Sequence, residues 1–257
     1  MKVTIHNVGL GLCISLIHDN GNVMLWDCGH SESCHPSEFL VSMGIRNIDR
    51  LFITNYDEDH ISDLPNIRKR LPISLLVRNR SISAEQLRTL KLRTSPISYA
   101  MEHMLDIMAK YNSSPYATPE FPGVEYKVFH NSYGSDFNDT NNISLVTFLK
   151  FDETCLIIPG DIEVLGWERL LQKNDFRREL QYVDYFLASH HGRENGYCAD
   201  VFDYCSPKAI IFSDSNIKYA TQETATIYSR HASGIMLNGE RRYVLTTRKD
   251  DSICWNI

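Results

Sequence analysis

The chain has 257 residues, of which 43% are apolar, 11% aromatic and 23% charged, with a net charge of −6. This is the composition of a folded globular protein, and it excludes disordered, collagen-like and coiled-coil chains. No run of 18 or more apolar residues is present to span a bilayer, and His6 and Asn7 stand where a secretory leader needs its apolar run, so a soluble, cytoplasmic protein without a membrane partner is expected. Seven cysteines without a Cys-x-x-Cys pair predict reduced thiols rather than a disulfide framework or a thiolate zinc knuckle.

In chain order, short apolar runs at residues 3–5, 12–17 and 23–26 read as strands, broken by Gly9, Gly11 and the hairpin turn Asp19-Asn20-Gly21. Residues 36–43 suggest a short helix ending near Gly44, and residues 50–54 a buried strand that runs into a cluster of charge. Ser83 followed by Gln86 has the form of a capping box and opens a helix to about Leu92. Ile97, Met101, Met104, Leu105 and Met108 keep helical spacing and predict a second helix over 96–111. With the loop-rich residues 112–122, this stretch reads as an insertion on a strand-based scaffold. Strands return at 124–129, 144–149 and 155–159, a helix follows over 162–172, and further strands are expected at 182–188, 209–213, 235–237 and 242–247. The pattern predicts one α/β domain over 1–257, two sheets packed together with helices outside.

Charge is unevenly spread. Between residues 68 and 93, Arg68, Lys69, Arg70, Arg78, Arg80, Arg88, Lys91 and Arg93 face one acid, Glu85, a window of +7 that leaves −13 for the rest of the chain. Cationic density of this kind either tracks a phosphate backbone or solvates a helix face, and composition leaves both open.

Polar clusters close several of the apolar runs. The strand through Ile53 ends in Thr54-Asn55-Tyr56-Asp57-Glu58-Asp59-His60, the strand through Ile158 in Pro159-Gly160-Asp161, and the strand through Ala188 in Ser189-His190-His191-Gly192. Ahead of the second lies Asn141-Asn142-Ile143-Ser144-Leu145. Each alone reads as a turn or a helix entry. Three together, each at a strand end, are how loops on a rigid frame assemble a catalytic metal site.

In order and spacing these segments resemble the metallo-β-lactamase superfamily, and most closely the hydrolase domain of ComEC-type competence proteins and their stand-alone relatives. Asn7-Val8-Gly9-Leu10-Gly11 resembles that group's Val-Gly-x-Gly turn, and Leu25-Trp26-Asp27-Cys28-Gly29 its Ile-Asp-Cys-Gly strand end. Asn141-Asn142-Ile143-Ser144-Leu145-Val146 and Ile158-Pro159-Gly160-Asp161-Ile162-Glu163 resemble the Asn-Asn-x-Ser-Leu-Val and Thr-Gly-Asp pair, and Ser189-His190-His191-Gly192 the His-His-Gly-Ser turn. The match runs from residue 5 to about 220 and leaves 70–122 uncovered. It implies an αββα sandwich carrying a helical, basic insertion.

The chain departs from that pattern in the first metal motif. Asn55 and Asp57 stand for its first two histidines, Asn142 is the nearest polar residue to the third, Ser62-Asp63 replaces Gly-Gly, and Tyr219-Ala220-Thr221-Gln222 replaces a late Tyr-Gly-His-Pro. The resemblance thus implies an oxygen-rich position of Asn55, Asp57 and Asn142 beside a second position of Asp59, His60, Asp161 and His190, holding one or two divalent ions, Mn²⁺ or Mg²⁺ in preference to Zn²⁺. It implies that Asp161 bridges, that Asp27 orients a ligand histidine, and that Asp59 and His191 take part in catalysis, His191 by stabilising a phosphoryl oxygen or protonating the leaving group. The expected function is a phosphodiesterase or nuclease using a metal-activated water on nucleic acid or a nucleotide, with Arg78, Arg80 and Arg88 on the substrate backbone. Two alternatives are a non-catalytic module bound to a partner protein in a larger assembly, and a hydrolase of a small ester or lactone.

Overall fold

Continuous apolar runs such as Val23–Trp26 and Ala209–Phe212 make strands buried on both faces, and the sheets they form stack. The computed structural model describes residues 1–111, 118–215 and 224–257. In it β1 (Lys2–Ile5), β2 (Ile14–Ile17), β3 (Val23–Trp26), β4 (Arg50–Phe52), β5 (Leu76–Val77) and β14 (Ile253–Asn256) form one sheet in the order β14-β1-β2-β3-β4-β5. A second sheet runs β13-β10-β9-β8-β7-β6, built from β6 (Val124–Phe129), β7 (Val146–Phe151), β8 (Thr154–Ile158), β9 (Tyr185–Leu187), β10 (Ala209–Phe212) and β13 (Val244–Thr246). A separate hairpin joins β11 (Ile235–Leu237) to β12 (Glu240–Arg242).

Side chains on successive residues sort the layers. Met24, Trp26 and Phe52 of the first sheet meet Leu149, Leu156, Ile158, Leu187 and Ile211 of the second between the sheets. Trp26 and Phe52 stack there, ring centroids 4.5 Å apart; burying one such aromatic contributes roughly 1.5–3 kcal/mol. The alternate residues Leu25 and Leu51, with Ile53, face outward onto α3 (Leu64–Arg70), α4 (Ala84–Lys91) and α5 (Tyr99–Lys110) through Ile67, Leu87, Met104 and Met108. Ile157, Phe186, Ile210 and Phe212 face the other way, onto Trp167 and Leu170 of α6 (Val164–Leu171) and Phe176 of α7 (Asn174–Leu180). Four layers result, helix–sheet–sheet–helix, as expected.

The Ser83 capping box forms: its hydroxyl accepts from the Gln86 N–H at 3.1 Å, and the Gln86 side chain accepts from the Ser83 N–H at 2.9 Å. The stretch expected as an insertion forms the outer helical layer of the first sheet and adds β5 to its edge. The strand expected at 242–247 is divided: β12 turns back on β11, and β13 pairs in parallel with β10. The strand expected from 144 starts at Val146, because the Leu145 N–H donates to the Thr54 carbonyl of the other sheet's loop at 2.8 Å. None of the cysteines forms a disulfide. Among the described residues no helix is long and apolar enough to cross a membrane.

Candidate metal centre

The polar loops after β4, β8, β9 and β10 meet at one rim of the sandwich. His190 N–H donates to the Gly160 carbonyl at 3.2 Å, Ala188 N–H to that of Ile211 at 2.7 Å, and the Ser213 hydroxyl to that of Gly11 at 2.7 Å. Convergence requires close backbone approach, which explains two of the glycines. A Cβ on Gly11 or on Gly29 would collide with the Asp59 carbonyl. That carbonyl sits between them and accepts from the Leu12 N–H at 3.3 Å, while the His60 carbonyl accepts from the Cys28 N–H at 2.8 Å. The Gly9-Leu10-Gly11 and Asp27-Cys28-Gly29 segments are therefore the cradle of α2 (Glu58–Ile61), the short helix carrying Asp59 and His60.

At the rim, Asp59, His60, Asp161 and His191 offer ligand atoms that all lie within 4.8 Å of one another. His60 is fully buried; its Nδ1 lies 2.7 Å from Asp27 Oδ2, and Asp27, also fully buried, further accepts from the Thr54 N–H at 2.7 Å and from the Thr54 hydroxyl. With Nδ1–H held this way, His60 turns Nε2 to the rim, 3.1 Å from Asp161 Oδ1. His191 is held in the same manner: Nδ1 donates to the Ser213 carbonyl at 3.0 Å, and Nε2 stands 3.2 Å from Asp59 Oδ2 and 3.6 Å from Asp161 Oδ1. Both Nε2 atoms are buried, and among the described residues neither has a hydrogen-bond partner.

Charge in this cluster is self-opposed. Burial pulls His60 and His191 down, yet the facing carboxylates win and hold both pKa values above the ordinary imidazole range, Asp161 and Asp27 on His60, Asp161 and Asp59 on His191. Burial pushes Asp59 and Asp161 up, and the two imidazoles bring both below the usual carboxylate range. A divalent cation placed among neutral imidazoles and ionised carboxylates replaces those two protons directly.

The backbone is bent to make this. Asp27, His190 and His191 are non-glycine residues at φ of 53°, 50° and 53°, which costs about 1 kcal/mol or more each. The left-handed pair sends two successive imidazoles apart, ring planes 66° from each other. It places His191, rather than His190, among Asp59, His60 and Asp161. His190 turns instead to Arg193, 3.2 Å from its Nε2, and to Glu163, 3.6 Å from its Nδ1, and burial lowers its pKa.

The other expected ligands are engaged elsewhere. The buried Asn55 donates to Asn141 Oδ1 at 2.9 Å and accepts from the Asp57 N–H at 3.0 Å. Asp57 pairs with Lys91 of α4 and accepts from the Thr140 hydroxyl at 2.9 Å. Asn142 Oδ1 accepts from the Gly166 N–H inside α6 at 2.9 Å. Among the basic residues, Arg78 donates to the carbonyls of Asn79 and Ile82, Arg80 to that of Tyr111 at 3.4 Å, and Arg68 pairs with Asp106, whereas Arg88 is exposed. The Tyr219–Gln222 segment lies outside the described residues. Sequence reasoning did not single out Ser213; Thr54, Lys91, Gly11 and Gly29 did stand in the segments quoted, without these roles.

The family model of the metallo-beta-lactamase superfamily matches residues 12–119, a span that contains α4 and α5. Among solved structures, all of this chain aligns with 54% of CmlA, a diiron beta-hydroxylase from Streptomyces venezuelae, at 14% identity and a TM-score of 0.54. A mutant of CmlA beta-hydroxylase gives 12% identity and a TM-score of 0.55 over the same shares of each chain. A diphosphatase from the PhnP family aligns over 100% of this chain and 98% of its own, at 11% identity and a TM-score of 0.47. The chain spans about half the length of the CmlA structures, and at these identities the likeness is one of fold. No curated protein matches the chain.

Proposed function

We propose that this chain, a metallo-β-lactamase-fold protein, is a metal-dependent hydrolase that holds one divalent ion on Asp59, His60, Asp161 and His191 and acts on phosphodiester bonds of nucleic acid or a nucleotide. The observation that carries the reading is the pair of buried Nε2 atoms that have no hydrogen-bond partner among the described residues, each on an imidazole whose other nitrogen is tied down. Leaving two such groups unpaired costs about 1–3 kcal/mol each, which a cation between them and the carboxylates removes. Fixing the remote nitrogen by carboxylate or carbonyl is how ligand histidines are oriented.

Two imidazoles with two carboxylates suit Mn²⁺, Fe²⁺ or Zn²⁺ better than Mg²⁺, whose preference is for oxygen alone. Asn55, Asp57 and Asn142, spent on their own partners, favour one ion over two. When bound, such an ion supplies Lewis-acid polarisation and a water acidic near neutrality. The protein's own groups orient the ligands: Asp27 and the Ser213 carbonyl keep both ligand tautomers, while His190, whose Nε2 accepts from Arg193, stands outside the ligand set. A cavity of about 270 Å³ is lined by Asp57, Glu58, Lys91, Ser98 and Met101, on the segment that leads into α2 and on the helices facing it, with Lys91 there paired to Asp57.

The test is metal analysis of the purified protein followed by hydrolysis assays on chelator-stripped protein given Mn²⁺, Mg²⁺ or Zn²⁺. The substrates are bis(p-nitrophenyl) phosphate and labelled single- and double-stranded DNA and RNA. Cleavage restored by Mn²⁺ or Zn²⁺ and lost in Asp161→Asn is expected. Metal bound without turnover of any phosphodiester would overturn the substrate class, and no metal at all would leave a binding module.

A further inference from the structure

A second group of metal-binding side chains lies on the far side of the α2 cradle. His30 and His35 bracket Ser31-Glu32-Ser33-Cys34, a loop closed by paired hydrogen bonds between Ser31 and Cys34 at 3.1 and 3.3 Å. Closure stacks the two imidazoles, centroids 4.6 Å apart and planes at 28°. Facing them is Asp63, fully buried at the junction between α2 and α3, with Oδ1 3.8 Å from His35 Nδ1. Ligand atoms of His30, His35 and Asp63 all lie within 4.8 Å of one another.

Two further features point to an ion. Asp63 is held rigidly, its Oδ2 accepting from the Ser37 N–H at 2.7 Å and its Oδ1 from the Asn66 amide at 2.8 Å, yet among the described residues no lysine or arginine pairs with it. A buried carboxylate without a cation is an expensive group. The Ser62 hydroxyl lies 2.7 Å from His30 Nδ1 and accepts from the His30 N–H at 3.0 Å. If it also takes the Nδ1 proton, His30 presents Nε2 as a free lone pair, the same device by which Asp27 presents His60.

We propose that His30, His35 and Asp63 form a second metal site, structural rather than catalytic, for a divalent transition ion with Zn²⁺ as the best match. Two imidazoles and one carboxylate, with His30 and His35 half-exposed so that water completes the shell, are a zinc donor set. The ion cross-links the 29–36 loop to the α2–α3 junction. Cys28 and Gly29 at the start of that loop cradle the carbonyls of His60 and Asp59, so the cross-link stiffens the segment that carries two of the catalytic ligands.

The test is Zn²⁺ titration of the chelator-stripped full chain against a chromophoric competitor. Wild type is expected to bind one equivalent more than the double variant His30→Gln/His35→Gln, and Asp161→Asn to keep that equivalent. This separates the inference from the catalytic reading, which fails on its own if Asp161→Asn binds as much zinc as wild type. In case the double variant folds poorly, carbethoxylation of wild type followed by peptide mass spectrometry gives an independent readout. Zn²⁺ should slow modification of His30 and His35 by about tenfold or more, as ligation removes their lone pairs. Equal zinc stoichiometry in wild type and double variant, an extra equivalent seen only at millimolar zinc, or unchanged carbethoxylation would each overturn the proposal.

Discussion

Asp59 and His60 share their loop with Asn55 and Asp57, yet the group they form with Asp161 and His191 and the group of Asn55, Asp57 and Asn142 end in opposite states. In the first, each imidazole spends one nitrogen on a fixed partner and turns the other, which has no hydrogen-bond partner among the described residues, toward carboxylates. In the second, every side chain is matched to another protein group: Asn55 to Asn141, Asp57 to Lys91, Asn142 to the Gly166 N–H. Residue type alone does not separate ligand from scaffold here, since Asp57 and Asp59 differ by two positions and carry the same carboxylate. What separates them is whether the protein itself satisfies the group.

That contrast breaks first where the effect is largest. Asp161→Asn or His191→Gln should lower hydrolysis about a thousandfold, some 4 kcal/mol of transition-state stabilisation, with circular dichroism unchanged. Steady-state kinetics decide it, and a loss of the same size in Asn55→Ala would erase the distinction. Next, Asp27→Asn should weaken metal affinity by about ten- to a hundredfold, because His60 loses the anion that fixes its tautomer. A competition assay with a fluorescent chelator reads this, and unaltered affinity would mean that Asp27 only packs.

On the scaffold side, Asn142→Ala leaves the Gly166 N–H unpaired and should cost about 1–3 kcal/mol in urea unfolding while metal stoichiometry stays as in wild type. Loss of metal from Asn142→Ala with stability intact would put that residue back among the ligands. The smallest effect belongs to Arg88, one of the exposed cations of the window: Arg88→Gln should reduce the salt slope of polynucleotide binding by about one and leave bis(p-nitrophenyl) phosphate hydrolysis alone. An unchanged slope would make Arg88 part of a solvated helix face.

Much of the frame was legible because strand period and turn chemistry are local. Residues 23–26 alternate between two cores, Asp19-Asn20-Gly21 turns β2 into β3, and Ser83 with Gln86 opens α4. β14 was not legible: Ile253–Asn256 is short, and it is a strand because its register against β1 sets Trp255 opposite Val3. Asp59, His60 and Asp161 could be read from their strand ends. The choice between His190 and His191 could not, since it depends on two consecutive left-handed residues that no spacing encodes. Nor could the engagement of Asp57, whose partner Lys91 lies 34 residues away. The +7 window was a correct count, but Arg68 and Lys91 turn out to face Asp106 and Asp57 instead of solvent.

The most direct test of the account is anomalous diffraction from crystals grown with Mn²⁺. The account predicts a peak coordinated by Asp59, His60, Asp161 and His191, with His190 outside it beside Arg193. A peak held by His190 and Glu163, or one seated on Asn55, Asp57 and Asn142, would contradict it.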